Sequence, residues 1–304
     1  MAAADRFAQL LGKVADVQQR CVSEGTQKAY DSCMRVYDKT IRAMDVEPYP
    51  VTLEKIKVFL VDKQEEGRTF GTLSNYVHAL SNYFSTNELD NLTLHIEFKR
   101  FRTGLRRLML GDMCPHQKDP FLFEWFARLA DHMDLKTRDD RLFFFIMTLA
   151  FHFFMRVSEV LALRPRDIEL SRDGSVLAVH FWKTKTDQFA AGTVSYVKVT
   201  RDRFCPATYL DVIAGLPRDR EIFALSNDAM NSKLRSYLGQ IGIENVNRYS
   251  FHSFRRGGAF RASEKGVQDC VIKKHGRWRS EAYMRYVRVD ALRAGVEITE
   301  AFRN

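Results

Sequence analysis

Apolar residues recur at three- and four-residue steps through most of the first hundred residues, which is the spacing of amphipathic helices. One helix is predicted to start at Thr26 and to pass through Tyr30 and Tyr37. Thr52 has the side chain and position of an N-cap, and Thr72 opens a further helix. The pattern therefore predicts a first module made of helices alone.

The last helix of this module is predicted from Ile96 to about Leu110 and is strongly basic. A solvated helix face explains such a run, and a face that binds DNA explains it at least as well in an all-helical module. The residues that we expect to contact DNA are Lys99, Arg100, Arg106 and Arg107.

Two prolines and a glycine interrupt the pattern between Leu110 and Pro120. Such a segment is typical of a linker. We therefore expect a helical domain over residues 1–112, a linker over 113–120 and a second domain over 121–304.

The second domain opens with helices, among them a highly apolar stretch from Leu142 to Met155. This stretch is too short to span a bilayer, so it predicts a buried core helix. The clearest β pattern is a strand at Val176–Trp182 and a returning strand at Thr193–Val199, joined by a long basic turn. The expected fold class is mostly α with a small β-hairpin or sheet.

Near the end of the chain, His252 and Arg255 stand three residues apart in Ser-Phe-His-Ser-Phe-Arg-Arg-Gly-Gly. On a helix this spacing puts both side chains on one face. Further along, the chain reads His275-Gly-Arg-Trp278 and then Met-Arg-Tyr286-Val-Arg. Cationic donors followed by a phenol suit a site that holds a phosphodiester and attacks it.

An earlier segment, Arg156-Val-Ser-Glu159-Val-Leu-Ala-Leu, follows the apolar helix directly. An arginine there is costly unless it is paired or binds an anion, and Glu159 is within reach of its guanidinium. A salt bridge at the edge of the core explains Arg156 taken alone. The hairpin turn carries Lys183 and Lys185, although any hairpin can carry solvated lysines.

These segments, in this order, resemble the boxes of the tyrosine recombinase (phage integrase) family, and the resemblance covers nearly the whole chain. It implies a helical core-binding domain followed by an α+β catalytic domain. It also implies that Arg156 and Arg255 bind the scissile phosphate, with Glu159 orienting Arg156. His252 would exchange a proton with the nucleophile or share a hydrogen bond with the phosphate, and Tyr286 would be that nucleophile.

Two assignments within the resemblance stay open. A lysine on the hairpin turn would protonate the leaving 5′ oxygen, and we prefer Lys185 to Lys183. One residue would fill the family's His/Trp position, and we prefer Trp278 because the family admits an indole there. The candidates for that position are His275, Arg277 and Trp278. Tyr283, one turn before Tyr286, is expected to pack against other residues.

Charge supports a nucleic-acid partner. The chain has a net charge of +9, and its last sixty residues hold 13 Lys and Arg against 6 Asp and Glu. Such an excess can serve solubility alone, but around a phosphate site it favours DNA, whose backbone binds cations. Arg256, Lys273 and Lys274 are expected contacts, with Arg256 facing either the DNA backbone or solvent.

Several kinds of site are not indicated. The five cysteines are scattered without CxxC spacing, which argues against a disulfide framework and a structural zinc. No acidic cluster suggests a two-metal nuclease, and no Walker or Rossmann glycine pattern occurs. We expect chemistry without a metal or cofactor. No long apolar run follows the first residue, so the expected place is the cytoplasm of a prokaryote or the nucleus of a eukaryote, away from membranes.

The resemblance implies a site-specific recombinase or integrase that cuts and rejoins DNA through a 3′-phosphotyrosyl intermediate. Within the family, a mobile-element recombinase of the Crypton-like kind is one candidate. Its partners would be double-stranded DNA and, on synapsed DNA, three further copies in a homo-tetramer, with a monomer or dimer otherwise. The alternatives are a type IB topoisomerase-like nicking-closing enzyme and a domesticated recombinase that only binds DNA. The helical first domain and the short tail after Tyr286 favour the recombinase, and every box is filled.

Overall fold

The computed structural model describes residues 3–19, 21–109, 118–182 and 192–285. The chain divides into two units, Met1–Pro115 and His116–Asn304. Most of the predicted linker lies outside the described residues. No helix in the described part of the chain is long and apolar enough to cross a membrane.

Helices alone form the regular structure described in the first unit. Their bounds are α1 Ala3–Gln19, α2 Glu24–Arg42, α3 Leu53–Glu65, α4 Phe70–Thr86 and α5 Ile96–Leu108. Helices α2 to α5 share a core in which Tyr37, Phe59 and Phe98 are fully buried. The apolar residues spaced at three- and four-residue steps in the sequence thus form the helix faces that pack together in this core.

Hydroxyl side chains cap three of these helices, because they satisfy a backbone N–H that the first turn leaves unpaired. Thr52 accepts a hydrogen bond from the N–H of Lys55, as predicted. The predicted starts at Thr26 and Thr72 are wrong by a few residues. Ser23 and Thr69 are the caps there, and the residues predicted as starts are the donors to them.

The described part of the second unit combines helices with one sheet. The helices are α6 Trp125–His132, α7 Arg138–His152, α8 Val157–Leu161, α9 Asn227–Gln240, α10 His252–Glu264 and α11 Asp269–His275. The strands are β1 Ile168–Leu170, β2 Val176–Phe181 and β3 Thr193–Lys198. The sequence pattern missed β1, because three residues are too few to show an alternation.

The sheet is antiparallel in the order β1-β2-β3, and Val179 in its middle strand lies opposite Ile168 on one side and Ser195 on the other. Helix α7 forms the centre of the unit, and all of its residues from Phe143 to Phe151 are buried. The predicted core helix is therefore confirmed, although it ends at His152 and the next two residues form a turn.

Helix α10 packs closely on its neighbours at its two consecutive glycines. A Cβ on Gly257 would lie 2.0 Å from the carbonyl oxygen of Phe121, and one on Gly258 would lie 2.3 Å from that of Phe151. Both distances are far inside van der Waals contact, so only glycine lets α10 approach Phe121 at one position and the end of α7 at the next.

We predict that Gly258→Ala destabilises the second unit by about 1–3 kcal/mol, the usual cost of overpacking a core. The matched control is Gly239→Ala in α9, where an added Cβ would meet only Val246 at 3.9 Å. Urea unfolding followed by circular dichroism gives both values. Equal stability of the two variants would contradict the close approach.

Candidate active site

Arg156 and Glu159 meet at the start of α8. The guanidinium of Arg156 donates from Nη1 to Oε1 of Glu159 at 2.6 Å, and its backbone N–H donates to Oε2 at 2.8 Å. A glutamate at the third helical position commonly closes a helix start in this way. The Arg156 side chain keeps 16% of its surface exposed, whereas that of Glu159 keeps 3%. The carboxylate is thus interior and the arginine lies at the rim.

The same carboxylate binds a second arginine. Nη2 of Arg277 donates to Oε2 of Glu159 at 2.8 Å. Burial alone would raise the pKa of the Glu159 carboxyl. The charge of Arg277, the backbone hydrogen bond from Arg156 and the charges of Arg156 and Arg255 outweigh burial and hold that pKa below its ordinary value. Glu159 is therefore ionised at neutral pH and is the anionic centre of a cationic cluster.

The carboxyl end of α7 accepts hydrogen bonds from three cationic or polar side chains. The carbonyl of Phe154 accepts from Arg255 and, at 3.4 Å, from Arg277, while the carbonyl of His152 accepts from Nε2 of His275 at 2.8 Å. Phe154 has a φ of +47°, a left-handed conformation that is unusual for phenylalanine. The last carbonyls of a helix have no partner within the helix, and the helix dipole is negative there. This turn directs these carbonyls toward Arg255, Arg277 and His275.

Arg255 lies on α10 and is almost completely buried, with 1% of its surface exposed. Besides its bond to Phe154, its Nη2 donates to the carbonyl of Gly276 at 2.6 Å. The indole of Trp278 stacks on it, with 4.0 Å between the guanidinium carbon and the ring centroid. The guanidinium is therefore fixed in orientation, and Trp278 covers one of its faces.

His252 is the first residue of α10, one turn before Arg255. Burial lowers the pKa of its imidazole to about 4, and the positive charges of Arg255, Arg256 and Arg156 contribute in the same direction. At neutral pH the imidazole is uncharged, so one ring nitrogen can accept a proton.

The three candidates for the open His/Trp position lie in different surroundings. His275 is tied to the backbone of α7, and its ring packs edge-on against Phe154 with centroids 4.7 Å apart. Arg277 binds Glu159, and Trp278 stacks on Arg255. The last two therefore touch residues of the cluster directly, and the preference for Trp278 stays a prediction.

Tyr286, Lys183 and Lys185 lie outside the described residues. Tyr283 is described and is buried beside Trp278, with its hydroxyl 3.4 Å from Asp269. Burial and nearby carboxylates raise the pKa of the Tyr283 phenol, which disfavours a phenolate there.

The expected DNA contacts of this unit differ in exposure. Arg256, expected to face the DNA backbone or solvent, is buried with 7% of its surface exposed, because α10 is packed on this side as well. It therefore does not face solvent, and its contact with DNA stays a prediction. Lys273 pairs with Glu281. Lys274 is exposed. Within the described residues, no three His, Cys, Asp or Glu side chains are grouped to bind a metal ion.

In the first unit, the basic residues of α5 point in two directions. Lys99 and Arg106 line a cavity together with Arg102, Thr103 and Phe70, and the guanidinium carbon of Arg106 is 5.8 Å from the Phe70 ring centroid. The other two predicted contacts, Arg100 and Arg107, are exposed elsewhere on the helix, as its 3.6-residue period requires. All four predicted contacts are accessible to a ligand.

Comparison with known proteins identifies the fold. No family model matches the sequence, and no curated protein matches it. Among solved structures, the Tn1549 transposon integrase in complex with transposon right-end DNA superposes with a TM-score of 0.62 at 10% identity, over 94% of this chain and 96% of that chain. A λ integrase dimer bound to a core site superposes with a TM-score of 0.57 at 15% identity, over 93% and 75%.

XerH recombinase bound to its difH substrate gives a TM-score of 0.56 at 15% identity, over 88% of this chain and 76% of that one. All three are tyrosine recombinases. This chain has the tyrosine recombinase fold. The expected fold class is thereby confirmed, and in this fold the described cluster joins α7, α8, α10 and the segment after α11.

We predict that His252 makes the fold sensitive to acid. The pKa of the His252 imidazole is lower in the folded chain than in the unfolded chain. Between about pH 6.5 and pH 4 the imidazole is therefore protonated in the unfolded chain and largely neutral in the folded chain. Stability is present above this window and is lost as the pH falls through it.

Wild type should therefore lose unfolding free energy relative to His252→Gln by up to about 1.4 kcal/mol per pH unit in this window. Denaturant unfolding at several pH values measures the difference. His78→Gln, at an exposed position of α4, is the control and should follow wild type. Parallel curves for wild type and His252→Gln would contradict the burial of a neutral imidazole.

Proposed function

We propose that this protein is a site-specific DNA recombinase that cuts and rejoins DNA through a 3′-phosphotyrosyl intermediate, for a mobile element. The observation that carries this proposal is the single cluster formed by Arg156, Glu159, His252, Arg255 and Trp278 in a chain with the tyrosine recombinase fold. The integrase of transposon Tn1549, λ integrase and XerH, which have that fold, are each seen bound to DNA.

In the proposed reaction, the phenolic oxygen of Tyr286 attacks the scissile phosphorus and forms a phosphotyrosyl ester. The bond from phosphorus to the 5′ oxygen breaks, and that oxygen takes up a proton. The phenolic proton passes to His252, whose neutral imidazole can accept it. The ester keeps the bond energy, so a free 5′ hydroxyl can later reverse the step without a metal ion or a nucleotide.

Arg156 and Arg255 would stabilise the charge that grows on the nonbridging phosphate oxygens. Arg156 is accessible at the rim of the cluster. Arg255 is covered, so a phosphodiester reaches it only if covering side chains, among them Trp278, move when DNA binds. Lys185, or failing it Lys183, would supply the proton to the leaving oxygen.

DNA would also be held through exposed cations outside the cluster. These are Lys99, Arg100, Arg106 and Arg107 of α5 and Lys274 of α11. Strand exchange between two duplexes needs four active sites, so we propose a homo-tetramer on synapsed DNA. The compartment that fits is the one that holds DNA, the cytoplasm of a prokaryote or the nucleus of a eukaryote.

We predict that Tyr286→Phe abolishes covalent attachment to DNA and leaves DNA binding nearly intact, because only the nucleophilic oxygen is removed. The substrate is a duplex site selected from a random library by binding and then nicked close to the cleavage position. The adduct is counted on denaturing gels. Tyr283→Phe is the matched control and should still form the adduct, since Tyr283 is buried. An adduct with Tyr286→Phe, and none with Tyr283→Phe, would assign the nucleophile to Tyr283.

A further inference from the structure

Glu159 links two arginines that lie far apart in the sequence. Its Oε1 accepts from Arg156 at 2.6 Å, and its Oε2 accepts from Arg277 at 2.8 Å. The carboxylate thus uses a different oxygen for each guanidinium. Oε2 also accepts from the backbone N–H of Arg156 at 2.8 Å, so tilting the carboxylate out of its present plane would weaken all three hydrogen bonds together.

Both terminal nitrogens of Arg277 donate to described residues, whereas its buried Nε has no partner. Its Nη1 donates to the carbonyl of Phe153 at 3.1 Å, to the hydroxyl of Ser195 at 3.2 Å and to the carbonyl of His275 at 3.0 Å. Its guanidinium carbon lies 3.7 Å from the ring centroid of Phe181. Arg277 is 8% exposed, and its backbone is left-handed with a φ of +56°. These contacts direct the guanidinium inward.

We infer that Arg277 is a positioning residue that acts through Glu159. It fixes the orientation of the Glu159 carboxylate, and the carboxylate in turn fixes the orientation of the Arg156 guanidinium. The inference rests on the proposed function, since Arg156 is there a ligand of the scissile phosphate. It gives Arg277 a role other than direct donation to the phosphate, because reaching out to DNA would require it to leave its buried partners.

Arg277 also changes the net charge of the group of side chains around Glu159. Glu159 and Arg156 alone form a neutral pair, which attracts a phosphate weakly. With Arg277 the same group carries a net positive charge while the carboxylate remains fully paired. Arg277 is also the charge that contributes most to keeping the Glu159 carboxyl ionised. Its loss would leave Arg156 both less fixed and facing a carboxyl that is more easily protonated.

A double-mutant cycle on cleavage tests this inference. Single-turnover cleavage of the nicked duplex is measured for wild type, Arg277→Met, Glu159→Gln and the double variant. We expect Arg277→Met to slow cleavage by about 100-fold, the cost of a misplaced catalytic group, with DNA binding unchanged. In the Glu159→Gln background the same change should cost less than about threefold, because the path to Arg156 is already cut. Equal factors in the two backgrounds would overturn the inference.

The matched control is Arg261→Met, which breaks another arginine–glutamate pair of this unit, to Glu124 at 3.3 Å, and should leave cleavage unchanged. If Arg277→Met does not fold, Arg277→Lys takes its place in the cycle with the same expectation, because a lysine cannot reproduce the planar fork. Absence of any adduct with wild type would count against the proposed function.

A measurement independent of cleavage separates that failure from failure of the positioning role. The protein is labelled with ¹³C in its glutamate carboxyl groups, and the Glu159 resonance is the one missing from Glu159→Gln. In the Arg277 variant the carboxyl should titrate at a higher pH than in wild type. Titration at the same pH would overturn the inference even if the protein never cleaves DNA.

Discussion

The arrangement of the cluster depends on one buried carboxylate, that of Glu159. An isolated ion at this depth would cost several kcal/mol, and removal of one partner from such a pair leaves the other charge stranded. Arg156 and Arg277 together offset that cost, and Glu159 also closes the first turn of α8. Through Arg277 the carboxylate is tied to Ser195 on β3 and to the turn after α7. One side chain therefore fixes the positions of the start of α8, of β3 and of the end of α7 relative to one another.

The apolar core sets the place where this cluster forms. Nine successive buried residues of α7 fix the helix in the centre of the unit, and its end is then not free to move. The left-handed turn at Phe154 presents carbonyls to Arg255 and Arg277. Gly258 allows α10, which carries His252 and Arg255, to approach that end. Packing thus places cationic side chains at the carboxyl end of α7, where the helix dipole stabilises positive charge.

Local features of this protein could be predicted from sequence, whereas long-range pairings could not. The periodicity gave the helices, the hairpin strands and the core helix, since these are set by near neighbours. The contact of Arg156 with Glu159 follows from their three-residue spacing. The bond of Arg277 to Glu159 spans 118 positions, and no local pattern indicates it. The burial of Arg256 could not be predicted for the same reason, because the periodicity of a helix does not show how many neighbouring elements pack on it.

Replacement of the scissile phosphate by an uncharged group tests most directly whether this cluster neutralises the phosphate charge. The measurement is adduct formation by wild type and Arg156→Ala on the nicked duplex, with either the normal phosphate or an uncharged methylphosphonate at the cleavage position. A neutral linkage has no anionic charge for Arg156 to stabilise. We predict that Arg156→Ala fails on the phosphate and recovers much of its activity on the methylphosphonate. An equal defect on both substrates would contradict it.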